Sequence, residues 1–236
     1  MLSSNNRDKL ISLLEHKNYQ TAGDSFVIFP DDTDTLARII KTANRFGIKI
    51  VVIGSGSTFD ESFRHSENSV FLSTQRLNSV LYVDKTNMFA EFQTGCIWKT
   101  EFGKLESEGI TFPLNIGSMD DKRTFGGIFS SLKNDSCITN FFTGIEFITA
   151  DGTLIRYGSR TLKNVAGYDL IKFMAGSTGK FGVITSLTLR LFPSEDGSCK
   201  TVEIKDISAQ DHRIPEGRIY KNLILELDPN GVFQIG

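Results

Sequence analysis

Charge of one sign is nowhere in excess in this chain: 26 Lys and Arg stand against 28 Asp and Glu, a formal net charge of −2. That balance gives no electrostatic reason to expect nucleic acid or an anionic membrane as partner. Histidine and cysteine are scarce. His16, His65 and His212 are scattered, and Cys96, Cys137 and Cys199 are odd in number, far apart and without metal-ligand spacing. A metal site and a disulfide framework are both unexpected, and reduced thiols point to the cytoplasm. Hydrophobic runs approaching ~18 residues are absent, and Met1 to Gln20 is too polar for a signal peptide, so neither a membrane span nor a leader is expected. Tryptophan occurs once against 19 phenylalanines, which predicts a core packed with Phe rings.

The patterns that are present describe a mixed α and β chain. Arg7 to Tyr19 carries Leu10, Ile11, Leu13 and Leu14 at helical spacing. Phe26 to Phe29 reads as a short strand. Asp31-Asp32-Thr33 caps a helix with Leu36, Ile39, Ile40, Ala43 and Phe46 on one face, closed by Gly47. Ile48 to Ile53 then reads as a fully buried strand, so this β-α-β unit predicts a parallel strand pair. Val70 to Leu72, Val80 to Val83 and Met88 to Gln93 read as strands of a second sheet. A helix follows with Ile97, Trp98, Phe102 and Leu105 on one face, stopped by Gly109, and its Trp reads as core. Asp151-Gly152 turns a hairpin within Phe147 to Tyr157.

Two glycine-rich loops punctuate these elements. The first, Gly54-Ser55-Gly56-Ser57-Thr58-Phe59, follows a buried strand directly and offers backbone N–H and hydroxyl donors to an anion. The second, Gly176 to Gly182, lies between an apolar segment (Tyr168 to Ala175) and Val183 to Phe192. The latter alternates Leu187, Leu189 and Leu191 with Ser186, Thr188 and Arg190, a half-buried strand. A P-loop is excluded here because Phe181 follows Gly179-Lys180 and Met174 stands where a glycine is required. A Rossmann fingerprint is excluded because the loop precedes a strand rather than a helix.

Lys163-Asn164-Val165-Ala166-Gly167-Tyr168-Asp169-Leu170, Ala175-Gly176-Ser177, Gly179 and Gly182-Val183-Ile184-Thr185 together closely resemble the end of the PCMH-type (vanillyl-alcohol-oxidase-like) FAD-binding domain. Within that group the similarity is greatest to the FAD-binding subunits of bacterial glycolate oxidases. The resemblance covers roughly residues 24 to 193 and 223 to 236, where Asp228, Pro229, Gly231, Val232, Phe233 and Gly236 match the family's tail. It implies an α+β, two-lobed fold: a small α/β lobe of about residues 1–75, and a larger antiparallel sheet lobe with helices, about 76–193 with the tail. It also implies FAD between the lobes. The family's cap domain is missing: a short linker, 194–222, stands in its place before the tail at 223–236.

The resemblance further implies which residues hold the cofactor. Ile53, Gly54, Ser55, Gly56, Ser57, Thr58 and Phe59 would form the first pyrophosphate loop. Gly117, Ser118, Thr124, Gly126 and Gly127 would wrap the ribityl and pyrophosphate, Ser130 and Ser131 would face the isoalloxazine ring, and Gly179, Gly182, Val183 and Ile184 would lie on the adenine side. Relatives that bind flavin covalently do so through a His or Cys near the first loop, so Ser, Thr and Phe there imply non-covalent FAD. Asp120, Asp121, Lys122 and Arg123 read as solvated, with Arg123 within reach of a phosphate, and His65 reads as a surface residue. Lys133 to Gly144 departs from the family's Arg and Tyr-Gly pattern at the ring. No catalytic residue is assignable, and no metal is expected. The expected function is an FAD-dependent oxidoreductase subunit in 2-hydroxy-acid oxidation, partnered by other subunits of a glycolate-oxidase-like complex or by a second copy. The alternative is a degenerate, non-catalytic flavin-domain protein acting as an interaction or regulatory module.

Overall fold

The computed structural model describes residues 4–14, 18–22, 25–57, 68–112, 114–115, 121–132, 137–158, 169–194, 202–203 and 218–234. Helix α1 (Ser4–Ile11) buries Leu10 and ends well before Tyr19, which belongs to a strand rather than to the helix expected over Arg7 to Tyr19. Strands β1 (Tyr19–Ala22) and β2 (Ser25–Ile28) form an antiparallel hairpin. Helix α2 (Thr33–Arg45) buries Leu36, Ile39, Ile40 and Ala43, the face its spacing defines. The Asp32 side chain caps it by accepting from the Thr35 N–H at 2.7 Å. Burial works to raise the Asp32 carboxyl, but hydrogen bonds from Thr35 outweigh it and hold the pKa below the usual carboxylate range.

Strands β3 (Lys49–Ile53) and β4 (Ser69–Ser73) complete this side of the chain. β4 was expected in the second sheet; it is the central strand of the first, parallel to both β2 and β3. The β2-α2-β3 crossover therefore skips a position, and β4 fills the gap with five buried residues. β3, expected to be fully buried, keeps only Ile50 and Val51 buried and opens at Val52 and Ile53.

The second sheet is antiparallel in the order β10-β9-β11-β6-β5. Its strands are β5 (Val80–Asp84), β6 (Phe89–Gln93), β9 (Phe142–Ile148), β10 (Leu154–Gly158) and β11 (Val183–Arg190). β11 was expected half-buried, yet Ser186 and Thr188 are as buried as the leucines. The strand is central, and carboxylates from both neighbours cover its polar face: Glu91 accepts from Ser186 and Glu146 from Thr185. Helix α3 (Trp98–Ser107), the short strands β7 (Ile110–Thr111) and β8 (Leu114–Asn115), helix α4 (Phe125–Ser130) and helix α5 (Leu170–Met174) lie around this sheet. Trp98 is core as expected, stacked on Phe102 with ring centroids 4.9 Å apart and tilted against Phe125 at 4.7 Å.

Strand β12 (Phe192–Pro193) pairs with β7, and β13 (Val202–Glu203) runs parallel to β8. Helix α6 (Arg218–Leu227) leads to β14 (Phe233–Gln234). The tail was expected with the second lobe; β14 instead adds to β3 at the edge of the first sheet. The reason lies in the turn: the buried Asp228 carboxylate accepts from the Val232 and Phe233 N–H groups at 2.7 and 2.8 Å, folding the chain back onto β3. Among the described residues each of the two sheets has five strands. They share a core, because Ile148 and Val183 of the second sheet and Ala150 of the β9–β10 turn belong to one buried cluster with Leu36 of α2, Ile50 of β3 and Val232 just before β14. The β9–β10 turn closes the junction: Asn44 donates to the Ala150 carbonyl at 2.9 Å. A methyl on Gly152 would lie 3.0 Å from the Ala37 carbonyl oxygen of α2. That junction sets the two glycine loops side by side.

Candidate cofactor site

The site begins where β3 opens. Ser73 donates its hydroxyl to the Gly54 carbonyl at 2.8 Å and the Thr74 N–H reaches the Ile53 carbonyl at 3.0 Å, so β4 fixes the first residue of the loop. A Cβ on Gly54 would sit 2.6 Å from Thr124 Oγ1, closer than real contacts allow. Gly56 has a φ of +77°, with nothing within 4 Å of where its Cβ would be. Among the described residues, the N–H groups of Ser55, Gly56 and Ser57 have no hydrogen-bond partner.

Thr124 faces this loop from the other lobe. Its hydroxyl caps α4 by accepting from the Gly127 N–H at 3.2 Å. The Phe125 and Gly126 N–H groups donate to the Cys96 and Thr94 carbonyls at 3.0 and 2.9 Å. Gly126 permits that approach, since a Cβ there would be 2.7 Å from Thr94 Cβ. Ser131 donates to the Gly127 carbonyl at 2.8 Å, and Arg123 donates to the Ser131 hydroxyl at 3.4 Å. Among the described residues, Arg123 is thereby engaged across α4.

The second glycine loop closes the third side. Its Gly176 and Thr178 N–H groups donate to the Phe129 and Ser130 carbonyls at the end of α4, at 3.1 and 3.2 Å. Gly179, with φ +79°, places its backbone where a Cβ would lie 3.0 Å from Val52 Cβ. Thr178 holds a φ of +52°, a left-handed conformation that a β-branched residue adopts only under strain. Ser177 is 2 % exposed and its hydroxyl has no partner among the described residues, an unusual state for a buried polar group. Gly182 passes so close to the Ile148 carbonyl that a Cβ would come within 2.6 Å of it.

Of the residues the sequence singles out, Ile53, Gly54, Ser55, Gly56, Ser57, Thr124, Gly126, Gly127, Ser130, Ser131, Gly179, Gly182, Val183 and Ile184 fall on these three converging segments. Thr58, Phe59, Gly117 and Ser118 lie outside the described residues, as do His16, His65 and His212. Ser177 of the second glycine loop belongs to the same framework, as do Val52 and Thr94, which the sequence does not single out. No local pattern marks Val52 and Thr94, because each matters only through a contact distant in the chain. Among the described residues no cluster of His, Cys, Asp or Glu forms a metal site.

Open backbone at Gly56, donors at 55–57 that have no partner among the described residues and a buried Ser177 hydroxyl likewise without one suit an extended ligand carrying negative charge. The fold gives the same answer. A solved structure of alkyldihydroxyacetonephosphate synthase superposes with a TM-score of 0.67 at 17% identity, over 82% of this chain and 41% of that one. p-Cresol methylhydroxylase with substrate bound gives 0.67 at 15% identity, over 81% and 44%. The fold is thus the α+β, two-lobed FAD-binding domain of the PCMH type. Residues 25–158 match the family described as the FAD binding domain, and the chain belongs to it, with FAD as its cofactor. Its relatives include glycolate oxidase subunit GlcD of Bacillus subtilis, 30% identical over 75% of this chain and 39% of the relative. D-lactate dehydrogenase of Archaeoglobus fulgidus is 31% identical over 73% and 40%. The chain spans about two fifths of the length of these curated relatives.

Proposed function

We propose that this chain is the FAD-carrying part of an oxidoreductase that acts on 2-hydroxy acids, working with other subunits of a glycolate-oxidase-like complex or with a second copy. The single observation that carries the reading is the meeting of Gly54 with Thr124, which sets the unpartnered Ser55 to Ser57 donors against α4 at the junction of the lobes. The relatives named for glycolate and D-lactate supply the substrate class.

In this reading the backbone of Gly54 to Phe59 and of Gly117 to Gly127 holds the pyrophosphate. Ser130 and Ser131 lie along the ring, the Gly182 to Ile184 backbone lies toward the adenine, and the cofactor is held without a covalent bond. Bound FAD supplies a two-electron acceptor. The chain's own residues bind it, orient it and keep water from its phosphates. Only the 194–222 segment stands between β12 and the tail, and in this reading substrate orientation comes from a partner. Among the described residues no helix is long and apolar enough to cross a membrane, and the reading places the protein in the cytoplasm.

The test starts with the absorption spectrum of the purified protein, followed by acid precipitation to see whether the flavin is released. Steady-state assays with an artificial electron acceptor follow, on the chain alone and with candidate partner subunits. Released FAD, little turnover of glycolate or lactate alone, and turnover restored by a partner are expected. Robust 2-hydroxy-acid oxidation by the isolated monomer would sink the subunit reading. Bound FAD that no partner or substrate can reduce would favour the non-catalytic module instead.

A further inference from the structure

We propose that Thr94 is a positioning residue for the cofactor, setting the adenine-side backbone at Ile184 and the pyrophosphate-side backbone at Gly126 in one rigid frame. The inference rests on the FAD reading above and extends it to a residue that makes no contact assigned to the ligand.

The argument begins with an irregularity in β11. Its pairing with β9 runs Val183↔Ile148 and Ile184↔Phe147, then shifts register so that Ser186 faces Glu146. Such a bulge re-aims the strand and disturbs the ladder on both sides. On the other side, β6 pairs with β11 only as far as Ser186↔Gln93. Beyond that point Thr94 takes over: its N–H donates to the Thr185 carbonyl at 3.0 Å, and its hydroxyl donates to the Ile184 carbonyl at 2.8 Å. The side chain thus does what a further strand residue would do, and the main chain is released to turn away at Gly95.

The released main chain is used at once. The Thr94 carbonyl accepts from the Gly126 N–H at 2.9 Å, and Thr94 Cβ fills the space that any side chain at Gly126 would need. Gly95 is held equally tightly, since a Cβ there would fall 2.2 Å from the Thr74 carbonyl oxygen. Thr94 is 1 % exposed, so its hydroxyl has no water to fall back on. One buried residue therefore ties the start of β11, the first turn of α4 and, through Thr124, the Gly54 loop into a single body. A residue without the hydroxyl removes that buried bond to the Ile184 carbonyl. Pre-organisation is then lost on the adenine side.

The experiment is FAD titration of the flavin-stripped chain, followed by flavin fluorescence quenching, alongside urea unfolding of each apo-protein. Thr94→Val keeps the shape and removes the donor; Thr94→Ser keeps the donor and removes the methyl. The expected result is an FAD Kd about tenfold higher for Thr94→Val, the size of one buried hydrogen bond, measured where both proteins are fully folded. Thr94→Ser should lie within about twofold of the parent, since it keeps the bond on which the argument turns. Thr94→Ala, which places no methyl against the carbonyl, should repeat the loss and serves if Thr94→Val does not fold. An unchanged Kd in the hydroxyl-free variants overturns the proposal, because a merely structural residue would shift the urea midpoint alone. A Thr94→Ser loss equal to that of Thr94→Val also overturns it, since packing rather than the hydroxyl would be responsible. A parent chain that binds no FAD removes the reading beneath it, and that outcome is visible before any variant is made.

Discussion

Substituting Gly54 by alanine tests the meeting of the two lobes most directly. Gly54 does not have a positive φ, so alanine meets no backbone penalty there and the whole effect is steric. The new methyl would arrive 2.6 Å from Thr124 Oγ1, 3.7 Å from its Cβ and 3.8 Å from its Cγ2. The oxygen must leave, and with it goes the cap on the Gly127 N–H. Loss of an N-cap costs about 1 kcal/mol, and forcing a methyl into a packed contact costs about 2 kcal/mol. The sum corresponds to roughly a hundredfold in an equilibrium constant. It should be divided between the urea midpoint of the apo-protein and the FAD Kd, according to whether α4 or the loop gives way. The double variant Gly54→Ala, Thr124→Ala separates the clash from everything else. It lacks the oxygen that collides, so only the lost cap is left, about 1 kcal/mol, and the two substitutions should be strongly non-additive. Gly54→Ala behaving like the parent in both assays, or the pair adding without rescue, would refute the contact and the site geometry built on it.

Three other outcomes are expected. Thr178→Gly should raise stability by about 1 kcal/mol in urea unfolding with an unchanged m-value, because it relieves the left-handed φ of +52°. Asp32→Ala should cost about 1 kcal/mol at neutral pH. The native carboxyl sits below its normal 3.8, so its contribution is present above the unfolded pKa and lost as pH falls through the folded one. The gap between parent and variant should therefore close on acidification in paired pH-dependent unfolding curves. Burial, with a smaller contribution from Glu101, pushes the Cys96 thiol up to about 12. Peptide mapping after iodoacetamide at pH 8 should find Cys96 unmodified in the native protein and alkylated in urea.

What the sequence by itself determined about this protein lies within short stretches. The 3-4 spacing of Leu36, Ile39, Ile40 and Ala43 after Asp32 specified α2, its cap and its buried face. Asp151-Gly152 specified the β9–β10 turn, with Gly152 at φ +82°. The two glycine loops were legible because close backbone approach and positive φ demand glycine at fixed places, and a resemblance over roughly residues 24 to 193 and 223 to 236 assembled them into an FAD domain. Only the tertiary structure decided which strand lies beside which. The apolar run of β4 reads the same whether its neighbours are β2 and β3 or β5 and β6, since burial on both faces leaves no period to interpret. The Ser-Leu-Thr-Leu alternation of β11 predicted a wet face, and the carboxylates of two neighbouring strands covered it. β14 found the first sheet through a turn held by Asp228. Val52 and Thr94 entered the site for the same reason. Their roles come from partners tens of residues away, and a local pattern carries no record of a contact that only folding brings about.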